Sequence, residues 1–155
     1  VKLLFLDTGN TGRSLMAETL APALSKGLPR PVVFISRGLD VDPFDDDPEV
    51  NAGQLMAERG FDVAQHRAQQ LSARDLAHAD LILTMTESHA EKIRAQFPDS
   101  KVKIVPLALY ATGVSEPIPD AWGKPMEVYR SVLAQLDRYL PLAIARAATE
   151  ISPRD

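Results

Sequence analysis

Short apolar runs alternate along the chain with longer segments in which apolar residues recur every three or four positions. The short runs are typical of strands buried on both faces of a sheet, and the longer spacing is typical of amphipathic helices. The predicted strands cover residues 2–6, 31–36, 79–84 and 101–105. Because strands that alternate with helices form parallel sheets, we expect an α/β fold: a three-layer sandwich with a central four-stranded parallel sheet.

Caps mark the helix boundaries. Ser72 and Thr86 are favourable N-caps, whereas Gly27 and Gly60 suit helix C-termini. The predicted helices cover residues 14–25, 49–59, 86–97 and 125–149, with a short helix after Ser72; residues 38–48 and 110–122 are predicted loops. No linker, internal repeat or low-complexity tract interrupts this pattern, so residues 1–155 are predicted to form a single domain.

Composition narrows the class of function. The chain has 155 residues and a net charge of −4, with Lys and Arg scattered, so no nucleic-acid surface is indicated. No apolar stretch approaches the roughly 18 residues of a membrane span, and no signal-peptide pattern is present, so a cytoplasmic location is expected. The chain has no cysteine, which excludes disulfides, a thiolate nucleophile and a Cys-ligated metal. We expect no metal and no other cofactor.

A glycine-rich turn follows the first predicted strand in the stretch LFLDTGNTGRS, residues 4–14. Glycines let backbone N–H groups approach one another, and such groups at a helix N-terminus bind oxyanions. Arg13 adds a planar fork that can hold two oxygens of a tetrahedral anion. The predicted phosphate-binding residues are Thr8, Gly9, Asn10, Thr11, Gly12, Arg13 and Ser14. The alternative is a tight β–α turn in which Arg13 caps a neighbouring element.

Further stretches extend this motif along the chain: TGNTGRSLMAE (8–18), SRG (36–38), HRA (66–68), ADLILTMT (79–86) and IPDAW (118–122). With them the sequence resembles the low-molecular-weight protein tyrosine phosphatase family over nearly its full length. Members of that family open with a strand followed by Cys-x5-Arg-Ser. Asp7 stands at the position of the nucleophilic cysteine.

The resemblance implies a role for each site residue. Arg13 and the loop N–H groups would bind phosphate oxygens, and Asn10 would hold the shape of the loop. Ser14 would steady the nucleophile, and Asp120 would be the general acid. The implied catalytic residues are thus Asp7, Arg13 and Asp120, with Trp122 on the pocket rim. The chain departs from the family at Gly12, where many bacterial members have a second cysteine, at Leu15 and Ala121, where proline is usual, and at Asp7.

A carboxylate at position 7 carries the charge of a thiolate but is a weaker nucleophile, and its two oxygens extend further from Cβ. Enzymes that form an aspartyl phosphate use a divalent cation, and their Asp-x-Asp motif would need a second aspartate where Gly9 stands. Alternatively, Asp7 serves as a built-in anion that accepts loop N–H groups or pairs with Arg13. We expect phosphate to bind less tightly to this chain than to an Asp7→Ala variant.

Three functions remain open. The first is a catalytically silent family member that binds phosphate or another oxyanion, a phosphoprotein, or another protein partner. The second is a slow phosphomonoesterase that uses Asp7, or a loop-held water together with Asp120. The third is an inactivated variant of an active tyrosine or arginine phosphatase, and Thr11 is compatible with the arginine branch. Arsenate reduction requires thiols and is excluded.

Several remaining side chains are interpreted as structural. The acidic segment 40–49 is interpreted as a solvated loop, since its spacing lacks the glycine and terminal glutamate of a calcium loop. His66 and Arg67 are expected to support the site, whereas His78 and His89 are expected on the surface. Tyr129 lies on the apolar stripe of the last helix, so a core position is favoured over the pocket mouth.

Overall fold

The computed structural model describes residues 1–153, in which strands and helices alternate from the first strand onward. In chain order the elements are β1 (Lys2–Asp7), α1 (Arg13–Leu24), β2 (Val33–Gly38), α2 (Val50–Glu58), α3 (Ala73–His78), β3 (Leu81–Thr84), α4 (Glu87–Gln96), β4 (Lys103–Pro106), α5 (Leu107–Thr112) and α6 (Met126–Glu150). All four predicted strands form.

The four strands make one parallel sheet in the order β2-β1-β3-β4. Leu4 of β1 pairs with Ile35 on one side and Ile82 on the other, and Ile82 pairs in turn with Ile104. Strand β1 is therefore central, and the carboxyl ends of the strands meet at one edge of the sheet. That edge is where parallel α/β sheets bind ligands.

Alternate residues of β1 enter two separate cores, one on each face of the sheet. Leu3 and Phe5 belong to the larger core, which is built with α1, α2, α5 and α6. Leu4 and Leu6 belong to the smaller core, which is built with α3 and α4. Because helices cover both faces of the sheet, the predicted three-layer sandwich with a four-stranded parallel sheet is confirmed.

One helix was not predicted. Residues 107–112 form α5, so the predicted loop 110–122 begins too early. Leu107, Ala108 and Tyr110 are buried, and the helix ends at Gly113, whose φ of 80° is left-handed. Six residues complete fewer than two helical turns, which is too short for an apolar period to show in the sequence. Tyr110 accordingly lies in the larger core.

The expected caps begin α3 and α4. Ser72 and Asp75 form a reciprocal capping box, and the Thr86 hydroxyl accepts the backbone N–H of His89. Within residues 1–153, none of the helices combines the length and the apolar character needed to cross a bilayer.

Candidate functional site

A cleft of about 240 Å³ opens at the carboxyl end of β1. Asp7, Arg13, Asp120 and Trp122 all line it, although more than a hundred residues separate the first from the last. Residues 7–14, hereafter the Asp7 loop, form one side of the cleft, and the segment before α6 forms another. The three side chains predicted as catalytic and the predicted rim residue therefore share one cavity.

The carboxylate of Asp7 is held by its own loop. Its Oδ1 accepts the backbone N–H of Asn10 at 2.7 Å, and its Oδ2 accepts that of Ser14 at 2.9 Å. Asp7 is buried, with 2 % of its surface exposed. Of the two arrangements left open by the sequence, the carboxylate takes the first, because it accepts N–H groups and forms no ion pair with Arg13. Hydrogen bonds to a buried charged group stabilise by about 1.5–3 kcal/mol each.

Other N–H groups of the Asp7 loop are not used in this way. Those of Thr8, Gly9 and Thr11 have no acceptor among residues 1–153, and all three residues line the cleft. The loop therefore combines N–H donors occupied by Asp7 with N–H donors that can still receive a ligand oxygen.

Asn10 anchors the loop from within. It is fully buried and left-handed, with a φ of 59°. Its Nδ2 donates to Ser14 Oγ at 2.8 Å and to Ser36 Oγ at 2.9 Å, and its Oδ1 accepts the N–H of Gln69 at 3.0 Å. His66 Nε2 lies 2.7 Å from the Asn10 carbonyl oxygen. The histidine of the HRA stretch thus contacts the loop, where a supporting role was expected.

Arg13 links the loop to the segment that carries Asp120. Its Nη1 donates to the Ile118 carbonyl oxygen at 2.9 Å, and the residue is 6 % exposed. Asp120 is exposed, and its Oδ1 accepts the N–H of Trp122 at 3.0 Å. The Trp122 side chain is 64 % exposed at the rim. The guanidinium therefore sits deep in the cleft while the carboxylate and the indole lie at its mouth.

Glu49 is a site residue that the sequence analysis did not identify. Its carboxylate accepts the Thr11 hydroxyl at 2.7 Å and the Tyr129 hydroxyl at 2.5 Å. A Cβ added to Gly12 would lie 2.7 Å from Glu49 Oε2, so the glycine leaves room for this carboxylate. Burial, together with the hydrogen bond to Glu49, raises the pKa of the Tyr129 phenol above its usual value. Tyr129 is buried in the larger core, as expected, while its hydroxyl reaches the site.

The acidic loop also contributes to the cleft. Asp40, Asp42 and Asp45 line it together with Glu49 and Asp120, so these carboxylates share the cavity with a single guanidinium. Asp40, Asp42 and Asp45 are exposed in a loop, as the interpretation of segment 40–49 expects, and their position beside the cleft adds to it. Among residues 1–153 no three His, Cys, Asp or Glu side chains are grouped closely enough to hold a metal ion.

His89 lies behind the cleft, and the expectation that it is a surface residue is wrong. It is 5 % exposed, its Nε2 lies 2.9 Å from Thr8 Oγ1, and its Nδ1 lies 3.0 Å from Thr86 Oγ1. Burial, then the positive charge of Arg13, lowers the pKa of the ring to about 4, so the imidazole is neutral at pH 7. His78, by contrast, is exposed as expected.

A family model described as low molecular weight phosphotyrosine protein phosphatase matches residues 2–150. The chain belongs to this family. It is 32 % identical over 154 residues to a protein-arginine-phosphatase of Geobacillus stearothermophilus, covering 96 % of this chain and 97 % of that protein. It is 34 % identical over 139 residues to a probable low molecular weight protein-tyrosine-phosphatase, EpsP, of Ralstonia solanacearum, covering 88 % of each.

Solved structures of the family superpose closely. YwlE arginine phosphatase from Geobacillus stearothermophilus gives a TM-score of 0.85 at 33 % identity over 96 % of this chain and 94 % of that one. A Cys-to-Ser mutant of YwlE arginine phosphatase with a phosphorylated active-site serine gives 0.88 at 27 % identity over 97 % of each chain. The chain has no cysteine, and its own loop at the end of β1 begins with Asp7.

Local patterns indicated the Asp7 loop but not the residues that fold against it. Glu49 reaches the loop through a hydrogen bond from its N–H to the Thr11 carbonyl oxygen at 2.9 Å, a contact across 38 positions of sequence. For His89 a local signal was present. The third residue after an N-cap donates its N–H to the cap, so the Thr86 cap was a signal, not used in the sequence analysis, that His89 lies beside the Thr86 side chain.

Proposed function

We propose that this chain is a catalytically silent member of the low-molecular-weight phosphatase family that acts by binding a partner at the Asp7 cleft. The observation that supports this most strongly is the bidentate acceptance of the Asn10 and Ser14 N–H groups by the Asp7 carboxylate. Both oxygens of the only side chain at the nucleophile position are engaged, and no thiol exists elsewhere in the chain. A carboxylate in this arrangement acts as a tethered anion rather than as an attacking group.

The energetics favour the tethered carboxylate over free phosphate at the deep end of the cleft. A phosphate that used the same donors would have to displace two charge-assisted hydrogen bonds, worth about 1.5–3 kcal/mol each. It would also approach the carboxylates of Asp40, Asp42, Asp45, Glu49 and Asp120 that line the cleft. Inorganic phosphate is therefore expected to bind weakly to the unsubstituted chain.

The unpaired N–H groups and the exposed aromatic ring at the cleft mouth indicate which chemical groups a partner would need. The N–H groups of Thr8, Gly9 and Thr11 suit an oxyanion or a carbonyl oxygen, while exposed Trp122 offers an aromatic face. A phosphoprotein or another protein with an exposed oxygen-bearing side chain fits these groups. Relatives named as arginine phosphatases and the presence of Thr11 make phosphoarginine a candidate ligand, and relatives named as tyrosine phosphatases make phosphotyrosine the other.

A slow phosphomonoesterase is the second candidate, and one observation favours it. Arg13 and Asp120 line the same cleft, so an anion-binding guanidinium and a carboxylic acid remain together. In the YwlE mutant an oxygen nucleophile at the cysteine position carries a phosphoryl group. For Asp7 to act similarly, its carboxylate would have to leave at least one of its N–H donors.

A phosphate titration of matched variants tests the proposed function. Isothermal titration of inorganic phosphate compares the unsubstituted chain with Asp7→Ala and with Asp45→Ala. Asp45→Ala removes one negative charge from the cleft but leaves the bonds to Asn10 and Ser14 intact, so it isolates the effect of general charge. We expect Asp7→Ala to bind at least about tenfold more tightly than the unsubstituted chain, and Asp45→Ala within about threefold of it. Equal or tighter binding by the unsubstituted chain would contradict the tethered-anion proposal.

A turnover assay separates the silent protein from the slow enzyme. A chromogenic aryl phosphate is incubated with the chain, with and without Mg²⁺, and with Asp7→Asn and Asp120→Asn. No turnover above buffer is expected, whereas turnover that disappears in both variants would support the enzyme. Asp7→Cys restores a thiol, and strong turnover by that variant alone would identify the chain as an inactivated form of an active phosphatase.

A further inference from the structure

His89 is a buried histidine for which the proposed function has no use. Its ring lies between two hydroxyl groups, with Nε2 at 2.9 Å from Thr8 Oγ1 and Nδ1 at 3.0 Å from Thr86 Oγ1. Thr86 is the N-cap of α4, whereas Thr8 is exposed and lines the cleft. The imidazole therefore connects a helix cap inside the protein with a side chain at the candidate site.

The cap determines which ring nitrogen carries the proton. Thr86 Oγ1 accepts the backbone N–H of His89, and within residues 1–153 its other polar neighbour is His89 Nδ1. The Thr86 hydroxyl has one hydrogen, and His89 Nδ1 is the acceptor beside it among the described residues, so this hydrogen is satisfied only when Thr86 donates to Nδ1. Since a neutral imidazole has one N–H, that proton lies on Nε2, which then donates to Thr8 Oγ1.

This direction leaves the Thr8 hydroxyl hydrogen unused. Thr8 Oγ1 accepts from His89, and no other hydrogen-bond partner for this oxygen exists among the described residues. The backbone N–H of Thr8 likewise has no acceptor there. Thr8, which lines the cleft, thus has a hydroxyl hydrogen and a backbone N–H that are both without an acceptor among the described residues.

We infer that the Thr8 hydroxyl is a further ligand-binding group of the cleft, which donates to an oxygen of the bound partner, and that His89 is the positioning residue that orients it. The inference rests on the proposed function in taking this cleft as a binding site, and it adds a side-chain donor to the backbone N–H groups. An oxyanion or a phosphoryl oxygen is the ligand group that two convergent donors on one residue fit.

The surroundings of His89 keep its imidazole ring in the neutral form. Burial, Arg13 and Lys92 disfavour a second proton on the ring, and only Asp120 favours it, so the imidazole remains neutral through the physiological range. A doubly protonated ring would donate from both nitrogens and reverse the bond with Thr86. The opposite tautomer, with the proton on Nδ1, would instead take the Thr8 hydrogen and leave Thr8 without a donor for a ligand.

The tautomer is measured directly on the unsubstituted chain by ¹⁵N NMR of the histidine rings near pH 7. We expect His89 to carry its proton on Nε2. His78 is an internal contrast, because its Nδ1 lies 2.8 Å from the Arg74 carbonyl oxygen and must donate to it, which places the proton on Nδ1. An Nδ1-protonated His89 would overturn the inference, whatever the chain binds.

The donor role is tested in the Asp7→Ala chain, where phosphate binding is expected to be measurable. Adding Thr8→Val removes the hydroxyl while keeping the side-chain shape, and is expected to weaken phosphate binding about tenfold. Thr8→Ser restores the hydroxyl and should bind within about twofold of the Asp7→Ala parent. Unchanged affinity in Thr8→Val, or an equal loss in Thr8→Ser, would overturn the donor role. If Asp7→Ala itself gains no affinity for phosphate, the tethered-anion proposal fails. The measured tautomer of His89 still decides whether its ring donates to Thr8.

Discussion

The floor and the mouth of the cleft differ in how their polar groups are satisfied. Asp7, Asn10, Arg13 and Ser14 are all buried, and their side chains bond to one another or to protein backbone. At the mouth, Thr8, Asp120 and Trp122 are exposed, and several N–H groups have no acceptor among residues 1–153. The floor is therefore packed like the protein core, whereas the N–H groups without an acceptor lie toward the mouth.

The floor should be costly to change, and Asn10 is the most sensitive residue in it. Asn10→Ala removes bonds to Ser14, Ser36 and Gln69 and places alanine at a left-handed φ of 59°. We expect the free energy of unfolding in urea to fall by about 3–4 kcal/mol, since each buried partner loses roughly 1 kcal/mol and the backbone becomes strained.

Asn51→Ala is the matched control for Asn10→Ala. Asn51 makes one long bond of 3.4 Å at the surface, so the substitution should change stability by less than about 0.5 kcal/mol. A loss at Asn10 no larger than the loss at Asn51 would contradict the description of the floor as a satisfied polar core.

The second largest effect is expected where the floor meets the acidic loop. Gly12→Cys introduces the residue that the family resemblance implies at this position, but its Cβ would lie 2.7 Å from Glu49 Oε2. We expect a loss of about 1–3 kcal/mol in unfolding free energy, typical of overpacking, and a much smaller loss when Gly12→Cys is added to a Glu49→Ala chain than when it is added to the unsubstituted chain.

Gly53→Ala is the control for the glycine series. Its Cβ would meet Val63 at an ordinary 3.8 Å, and alanine is the better helix former, so stability should rise by up to about 1 kcal/mol. If the changes in unfolding free energy caused by Gly12→Cys and Glu49→Ala are strictly additive, the Glu49 carboxylate is not the reason that position 12 needs a glycine.

The sequence predicted the Asp7 loop far better than the segments that fold against it. The strand, the glycine-rich turn and Arg13 are local in sequence, so spacing placed Asp7 in one turn with its possible partners, and the structure shows that it accepts N–H groups. Glu49, Asp40 and His89 reach the cleft from other segments, and their positions depend on how loops 38–48 and helix α4 fold over the sheet edge. Periodicity gives the face of an element but not which loop covers the end of which strand, and α5 was too short to show a period.

His89 lies between the buried floor and the exposed Thr8 at the mouth. Its titration should make the stability of the folded chain depend on pH. Its folded pKa of about 4 lies below the ordinary value of 6.5, so between these values the unfolded chain binds a proton that the folded chain excludes. The free energy of unfolding should therefore fall as pH is lowered from 6.5 to 4.

The His89 contribution can be isolated with a non-titrating amide. Relative to His89→Gln, the unsubstituted chain should lose about 2 kcal/mol over that pH range, a figure reduced for partial solvent screening. Stability from urea unfolding at several pH values gives the difference. His78→Gln, at an exposed position, is the control and should retain the slope of the unsubstituted chain; equal slopes in all three proteins would show that His89 titrates normally.

The smallest effect on stability is expected at the mouth. There a substitution should change the free energy of binding more than the free energy of unfolding. Trp122→Ala removes a side chain that is 64 % exposed, so thermal and urea unfolding should change by less than about 0.5 kcal/mol. Affinity for a phosphopeptide that binds the cleft should nonetheless fall by about 1 kcal/mol or more, since an exposed aromatic supplies contact area only when a partner covers it.

Phe44→Ala is the control, because Phe44 is 97 % exposed on the acidic segment but does not line the cleft. A Trp122 variant that unfolds more easily yet binds unchanged would reverse the assignment and make the rim structural.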